Sequence, residues 1–162
     1  MRRLVFLLGV VVLFAVLAQQ AAAGTTTVSV SMSFTEPIVQ NIRSGCPVFF
    51  SGEGGFCGNG IVVPFGHARE TIQFGGACGG ACDFRTVNVV GGSIYIDEFF
   101  SNPGCPGSCQ PNPAEPGSGT LNDVVVGGTG MFAGATGNLS GSVTSAAAES
   151  AIKLSGTITL QT

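Results

Sequence analysis

The sequence predicts an all-β protein, an eight-stranded antiparallel up-and-down barrel. Three observations predict it. Apolar and polar residues alternate with a period of two in eight segments, the pattern of strands with one buried face. Helical periodicity is nearly absent: Ala146-Ala147-Ala148 is far shorter than the roughly dozen residues an isolated helix needs. Consecutive segments are mostly close enough in the chain to be antiparallel neighbours. Eight such strands can close on themselves, which removes exposed edges and can hold one small ligand. A two-sheet β-sandwich is the alternative arrangement of the same strands.

The first strand is expected near 25–35, where Val28, Val30, Met32 and Phe34 alternate with small polar residues. A short second strand follows at 60–65 and a third at 67–74, with Ala68, Ile72 and Phe74 on one face. Further strands are expected near 82–90, 93–100, 119–126, 137–145 and 150–161. In the last, Ile152, Leu154, Ile158 and Leu160 alternate with Lys153, Ser155, Thr157 and Thr159. If the far end of the first strand is the top, long connections fall at the top (36–59, 75–81, 101–118). The bottom turns at Gly66, at Gly91-Gly92 and over 127–136. Functional surfaces favour loops held on a rigid scaffold, so the top is the end to search.

The start of the chain reads as a cleaved secretory signal over residues 1–23. Arg2 and Arg3 precede an apolar run over 4–18, and Ala21-Ala22-Ala23 forms a small-residue cleavage site before Gly24. The run is shorter than the roughly 20 residues of a membrane span. Residues 24–162 then form one domain, secreted and free of the membrane. Without Arg2 and Arg3, four basic residues face nine acidic ones, a net charge of −5. That balance excludes a nucleic-acid partner and a polybasic membrane patch.

Six cysteines remain, Cys46, Cys57, Cys78, Cys82, Cys105 and Cys109, all in or beside top connections. An even count in an exported chain predicts three disulfides and no metal. Cys78-x3-Cys82 and Cys105-x3-Cys109 also have the spacing of a four-thiolate zinc site, but an oxidising compartment favours disulfides. Cys46 and Cys57 share the first top connection and are the expected pair. Whether Cys78 and Cys82 pair with each other or with Cys105 and Cys109 is left open by spacing.

Two motifs carry no chemistry. Gly128-x-Gly130-x-x-Ala133 matches a dinucleotide fingerprint in letters, but Gly134-Ala135-Thr136-Gly137 denies it the helix N-terminus a pyrophosphate needs. His67 is the single histidine, and on a strand it points away from the face that carries Glu70. No nucleophile motif accompanies it, so the catalytic residues of any enzyme reading stay unassigned.

Residues 125–137, Val-Val-Gly-Gly-Thr-Gly-Met-Phe-Ala-Gly-Ala-Thr-Gly, resemble the V-V-G-G-T-G-x-F-x-x-A-x-G segment of dirigent and allene oxide cyclase-like barrels. The resemblance implies an eight-stranded barrel with a cavity for hydrophobic small molecules, no cofactor, and a homo-oligomer.

Gly91-Gly92 predicts a two-residue hairpin turn, since both positions accept φ > 0. Val90 then pairs with Ser93, Val89 with Ile94, Val87 with Ile96 and Arg85 with Glu98. The Val/Ile face belongs inside and carries Arg85 and Glu98 towards the top. Glu70 shares the inward face of Ala68, Ile72 and Phe74. Three inward ionisable groups are costly unless paired. Arg85, Glu98 and Glu70 are therefore the candidate ligand-binding residues, a polar anchor in an apolar pocket; a self-satisfied structural ion pair is the alternative. Three functions fit: a module binding a small, largely apolar ligand, a dirigent or cyclase-type enzyme steering a reactive intermediate, and a packed structural or interaction protein of the cell exterior. Cavity volume separates the third from the others, and a charged cluster in the cavity favours the second over the first.

Overall fold

A computed structural model describes residues 24–37, 55–101, 117–146 and 149–162. The expected leader over 1–23, Cys46, Cys105 and Cys109 lie outside the described residues. The strands are β1 (Thr25–Pro37), β2 (Gly55–Val63), β3 (Gly66–Ala77), β4 (Cys82–Val89), β5 (Gly92–Ser101), β6 (Gly117–Gly128), β7 (Thr136–Ala146) and β8 (Glu149–Gln161). They pair antiparallel in chain order and close into a barrel. β8 lies along β1 from Thr25↔Gln161 to Pro37↔Glu149, which rules out the two-sheet sandwich.

The period-two pattern explains the closure. Val30, Met32 and Phe34 of β1 point inward with Ile152, Leu154 and Ile158 of β8, each buried, while the Ser and Thr between them face out. His67 is exposed and Glu70 buried, the opposite faces that their spacing requires.

The bottom of the barrel is plugged. After β6 the chain makes a short 3-10 turn at Gly130–Phe132 and drives Phe132 into the core, fully buried, edge-to-face with Phe65 at 5.0 Å. This is the Gly-Gly-Thr-Gly-Met-Phe segment. It forms no helix N-terminus and runs directly towards β7, so the dinucleotide reading fails on geometry as well.

That turn also corrects the predicted hairpin register. Val89 pairs with Gly92 and Val87 with Ile94, so Val90 and Gly91 form the turn, while Asp83 rather than Arg85 faces Glu98. Gly91 and Gly92 both have positive φ, and a Cβ on Gly92 would strike the backbone of Thr129. Thr129 N donates to Ser93 O at 2.9 Å and Met131 N to Gly91 O at 3.0 Å. Gly92 is thus taken up by docking the bottom plug and does not sit at the centre of the hairpin. The pairing is offset by two residues, so no side chain changes face, and Arg85 and Glu98 stay inside.

Two boundaries also differ. β2 starts at Gly55, five residues before the expected start, and the next turn is Pro64-Phe65, with Gly66 opening β3. Pro64 cannot donate to a ladder, which ends the strand there.

Candidate functional site

The core is polarised along the barrel axis. Its lower half is apolar, with Val62, Ile94, Ile158 and Phe132 fully buried. Its upper half collects charge. Among the described residues five acidic ones lie inside: Glu36, Glu70, Asp83, Glu98 and Asp123, none more than 4% exposed. Arg85, at 0% exposure, is the buried cation among the described residues and stands in their midst.

Each position follows from strand parity. Glu36 extends the inward Val30, Met32, Phe34 row of β1. Asp83 precedes Arg85 and Val87 on β4. Asp123 lies between the inward Leu121 and Val125 of β6. Asp83, Glu98 and Asp123 are direct neighbours across β4, β5 and β6, a row of three inward carboxyls.

Arg85 spreads its guanidinium over three of these groups. Nε donates to Glu98 Oε2 at 2.7 Å and Nη2 lies 2.6 Å from the same oxygen. Nη1 donates to Glu36 Oε1 at 3.0 Å and to Glu70 Oε2. The structure therefore brings together all three predicted residues, Arg85, Glu98 and Glu70, and adds Glu36, Asp83 and Asp123. A β3 irregularity between Gln73 and Ala77 positions Asp83: Gly75, with φ of +63°, turns its N–H to donate to Asp83 Oδ1 at 2.8 Å. Ser145 and Ser150 close this level, buried and hydrogen-bonded to each other at 3.0 Å.

The charge does not balance. Burial raises the pKa of Glu70 well above the usual carboxylate range and raises that of Glu98; Arg85 offsets this only in part. Burial, reinforced by the neighbouring Glu98, pushes Asp123 up to about 8. Burial also works against the charge on Arg85, but Glu70, Glu98 and Glu36 outweigh it and hold the guanidinium charged. Neither oxygen of Asp123 has a hydrogen-bond partner, nor has Glu70 Oε1.

Above the cluster is a cavity lined by Glu36, Asp83, Arg85 and Glu98 and by the rings of Phe56, Phe74 and Phe100. Phe56 and Phe74 pack edge-to-face at 5.0 Å. The cavity offers about 20 Å³ to the centre of a water-sized group, enough for one such group and not for a whole ligand.

Room for the cluster depends on Gly58. A Cβ there would come within 3.1 Å of Glu36 Cγ and closer still to the side chain of Glu70. Gly58→Ala is expected to displace Glu70 and cost about 1–3 kcal/mol, the usual range for overpacking, read as a lower urea midpoint.

The disulfide reading holds where it can be seen. Cys78 and Cys82 pair with each other, which decides the alternative that spacing left open and removes both from a four-thiolate zinc set. Cys57 is also disulfide-bonded. The Cys78, Cys82 and Asp97 ligand atoms lie within 4.8 Å of one another, but the disulfide leaves no thiolate for a metal. Cys78→Ser/Cys82→Ser is expected to lose about 2 kcal/mol, the chain-entropy value for so short a loop, in urea melts without reductant.

No protein-family model, curated protein or solved structure matches the chain.

Proposed function

We propose that the chain is a secreted binding module that takes a small, largely apolar molecule at the top of its barrel. One observation carries this reading: the acid-rich cluster around Arg85 borders a cavity walled by Phe56, Phe74 and Phe100. Convergent polar groups in an apolar setting are what a ligand pocket supplies. The lower half of the barrel is filled solid and the upper cavity takes one water-sized group, so only one end of the ligand enters the barrel and the rest lies at its top. A packed barrel needs no charge inside, because apolar residues of similar volume serve stability as well or better than buried ions. The leader-like residues 1–23 and the disulfides support export. No helix among the described residues is long and apolar enough to cross a membrane.

The cluster also favours a second reading, a cofactor-free enzyme of the dirigent or allene oxide cyclase type that steers a reactive intermediate. The resemblance of residues 125–137 supports it.

Native mass spectrometry of the protein recovered from its secreting host tests the binding reading. The expected spectrum shows a non-covalent small-molecule adduct that is lost on denaturation. No adduct, and none retained from an apolar small-molecule extract, would refute the reading.

A further inference from the structure

We infer a second binding site, an open groove on the outside of the barrel across β2, β3 and β4, that takes a small aliphatic carboxylic acid with its carboxylate on Arg69 and its chain on Ile61 and Val90. The groove lies at the bottom end, away from the cluster around Arg85, and does not depend on binding at the top.

Strand register builds it. Outward residues pair across the strands in rows: Asn59, Arg69 and Asn88 in one, Ile61 and His67 in the next towards the bottom. Val90, in the β4–β5 turn, continues the second row. These side chains border a groove of about 640 Å³, open to solvent and within the usual size of small-molecule sites.

The polar wall is made of donors. Arg69 is exposed and forms no ion pair among the described residues. A guanidinium carries five N–H donors and no acceptor. Asn88 Oδ1 accepts from Ser93 Oγ at 2.8 Å, which leaves the amide NH2 to donate to a ligand. His67 adds a ring N–H. No carboxylate lines the groove, and the next row up, Cys57, Thr71, Thr86 and Tyr95, holds none either. The chain as a whole is acidic, at −3, so the local balance reverses the average. An anion suits this wall, and a guanidinium fork matches a carboxylate through two parallel hydrogen bonds.

The other wall is apolar. Val90 is 83% exposed and Ile61 48%. Turns favour Gly, Asn and Asp, so a β-branched side chain at the tip of the β4–β5 turn contributes nothing to making that turn. Apolar side chains beside unpaired donors describe an amphiphilic ligand. Inorganic phosphate would use the donors and leave both side chains in water. An aliphatic alcohol would use the apolar wall and leave the guanidinium without a counter-charge.

Calorimetry on the protein recovered from its secreting host, disulfides intact, with octanoate, octanol, octylammonium and inorganic phosphate tests this. Octanoate is expected to bind about tenfold or more tightly than each of the others, a difference of ~1.4 kcal/mol. Two exposed positions locate the site without touching the core. Arg69→Gln is expected to weaken octanoate about tenfold and Val90→Ser about threefold, with circular dichroism checking each fold. Should either variant not fold, the other decides. Octanoate binding to the folded Arg69→Gln and Val90→Ser variants as tightly as to the parent would overturn the site, since the acid would then be held elsewhere, the top of the barrel included. Octanol or octylammonium binding as tightly as octanoate would overturn the carboxylate assignment, and phosphate doing so would overturn the aliphatic one. If octanoate does not bind the parent, the inference falls, while the reading at the top is still decided by the adduct experiment.

Discussion

Arg85→Met is expected to destabilise the barrel by about 3–5 kcal/mol at pH 8, the usual cost of removing one partner from a buried ionic network. Arg85 is fully buried and bonds to Glu36, Glu70 and Glu98 at once. Met approximates its length and supplies no donor. Three carboxyls then lose their common partner in a medium that cannot solvate them. They can escape the penalty by taking up protons, so the cost should shrink at pH 5. Arg85→Lys is not expected to restore the loss, because one ammonium cannot reproduce a planar fork that reaches three carboxyls. Urea melts of the three proteins at pH 5 and pH 8 measure this. An Arg85→Met variant within about 1 kcal/mol of the parent at pH 8, inside the range of an exposed pair, would mean that the cluster contributes nothing to the fold. The same cost makes Arg85→Met unsuitable as a probe of binding, where Glu36→Gln is the milder change.

Period-two alternation is what made the barrel legible in sequence: a strand with a single buried face displays its role in its residue types. The limits of that signal have physical causes. The first half of β2 was hidden because Gly58 and Gly60, at its inward positions, have no side chain to alternate. The space they leave is occupied by Glu70 and by Phe34. The hairpin register shifted because Gly91-Gly92 has two possible uses, a turn and a close approach. Only the three-dimensional docking of Thr129 and Gly130 distinguishes them. The candidate site was half visible. Arg85, Glu98 and Glu70 emerged from parity on β3, β4 and β5. Glu36, Asp83 and Asp123 obey the same parity beside Phe34, Arg85 and Val125, so counting two residues further along β1, β4 and β6 would have found them. Their convergence on one guanidinium required the closed barrel, since β1 and β4 are not neighbours. Cavity size left no trace in the sequence.

The barrel is expected to lose stability as pH rises from 5 to 9, contrary to the usual behaviour of carboxylates in proteins. An Asp or Glu in an ion pair normally has a depressed pKa and stabilises the fold above it. Asp123 is raised to about 8, and Glu70 and Glu98 are raised as well, because burial disfavours their charged forms. The folded chain therefore holds protons that the unfolded chain has released. The sign follows from linkage: stability falls with pH wherever the folded state binds more protons. Asp123's contribution is fully present below its unfolded pKa of roughly 4. It is lost as pH climbs towards about 8, at ~1.4 kcal/mol per pH unit for one proton. Asp123→Asn imitates the protonated carboxyl at every pH. It should match the parent near pH 5, exceed it at pH 9, and flatten the slope by about one proton's worth. Chemical denaturation at pH 5, 7 and 9 tests both statements. A parent whose stability rises across that range, or an Asp123→Asn variant less stable than the parent at pH 9, would show that Asp123 is ionised and paired inside the barrel.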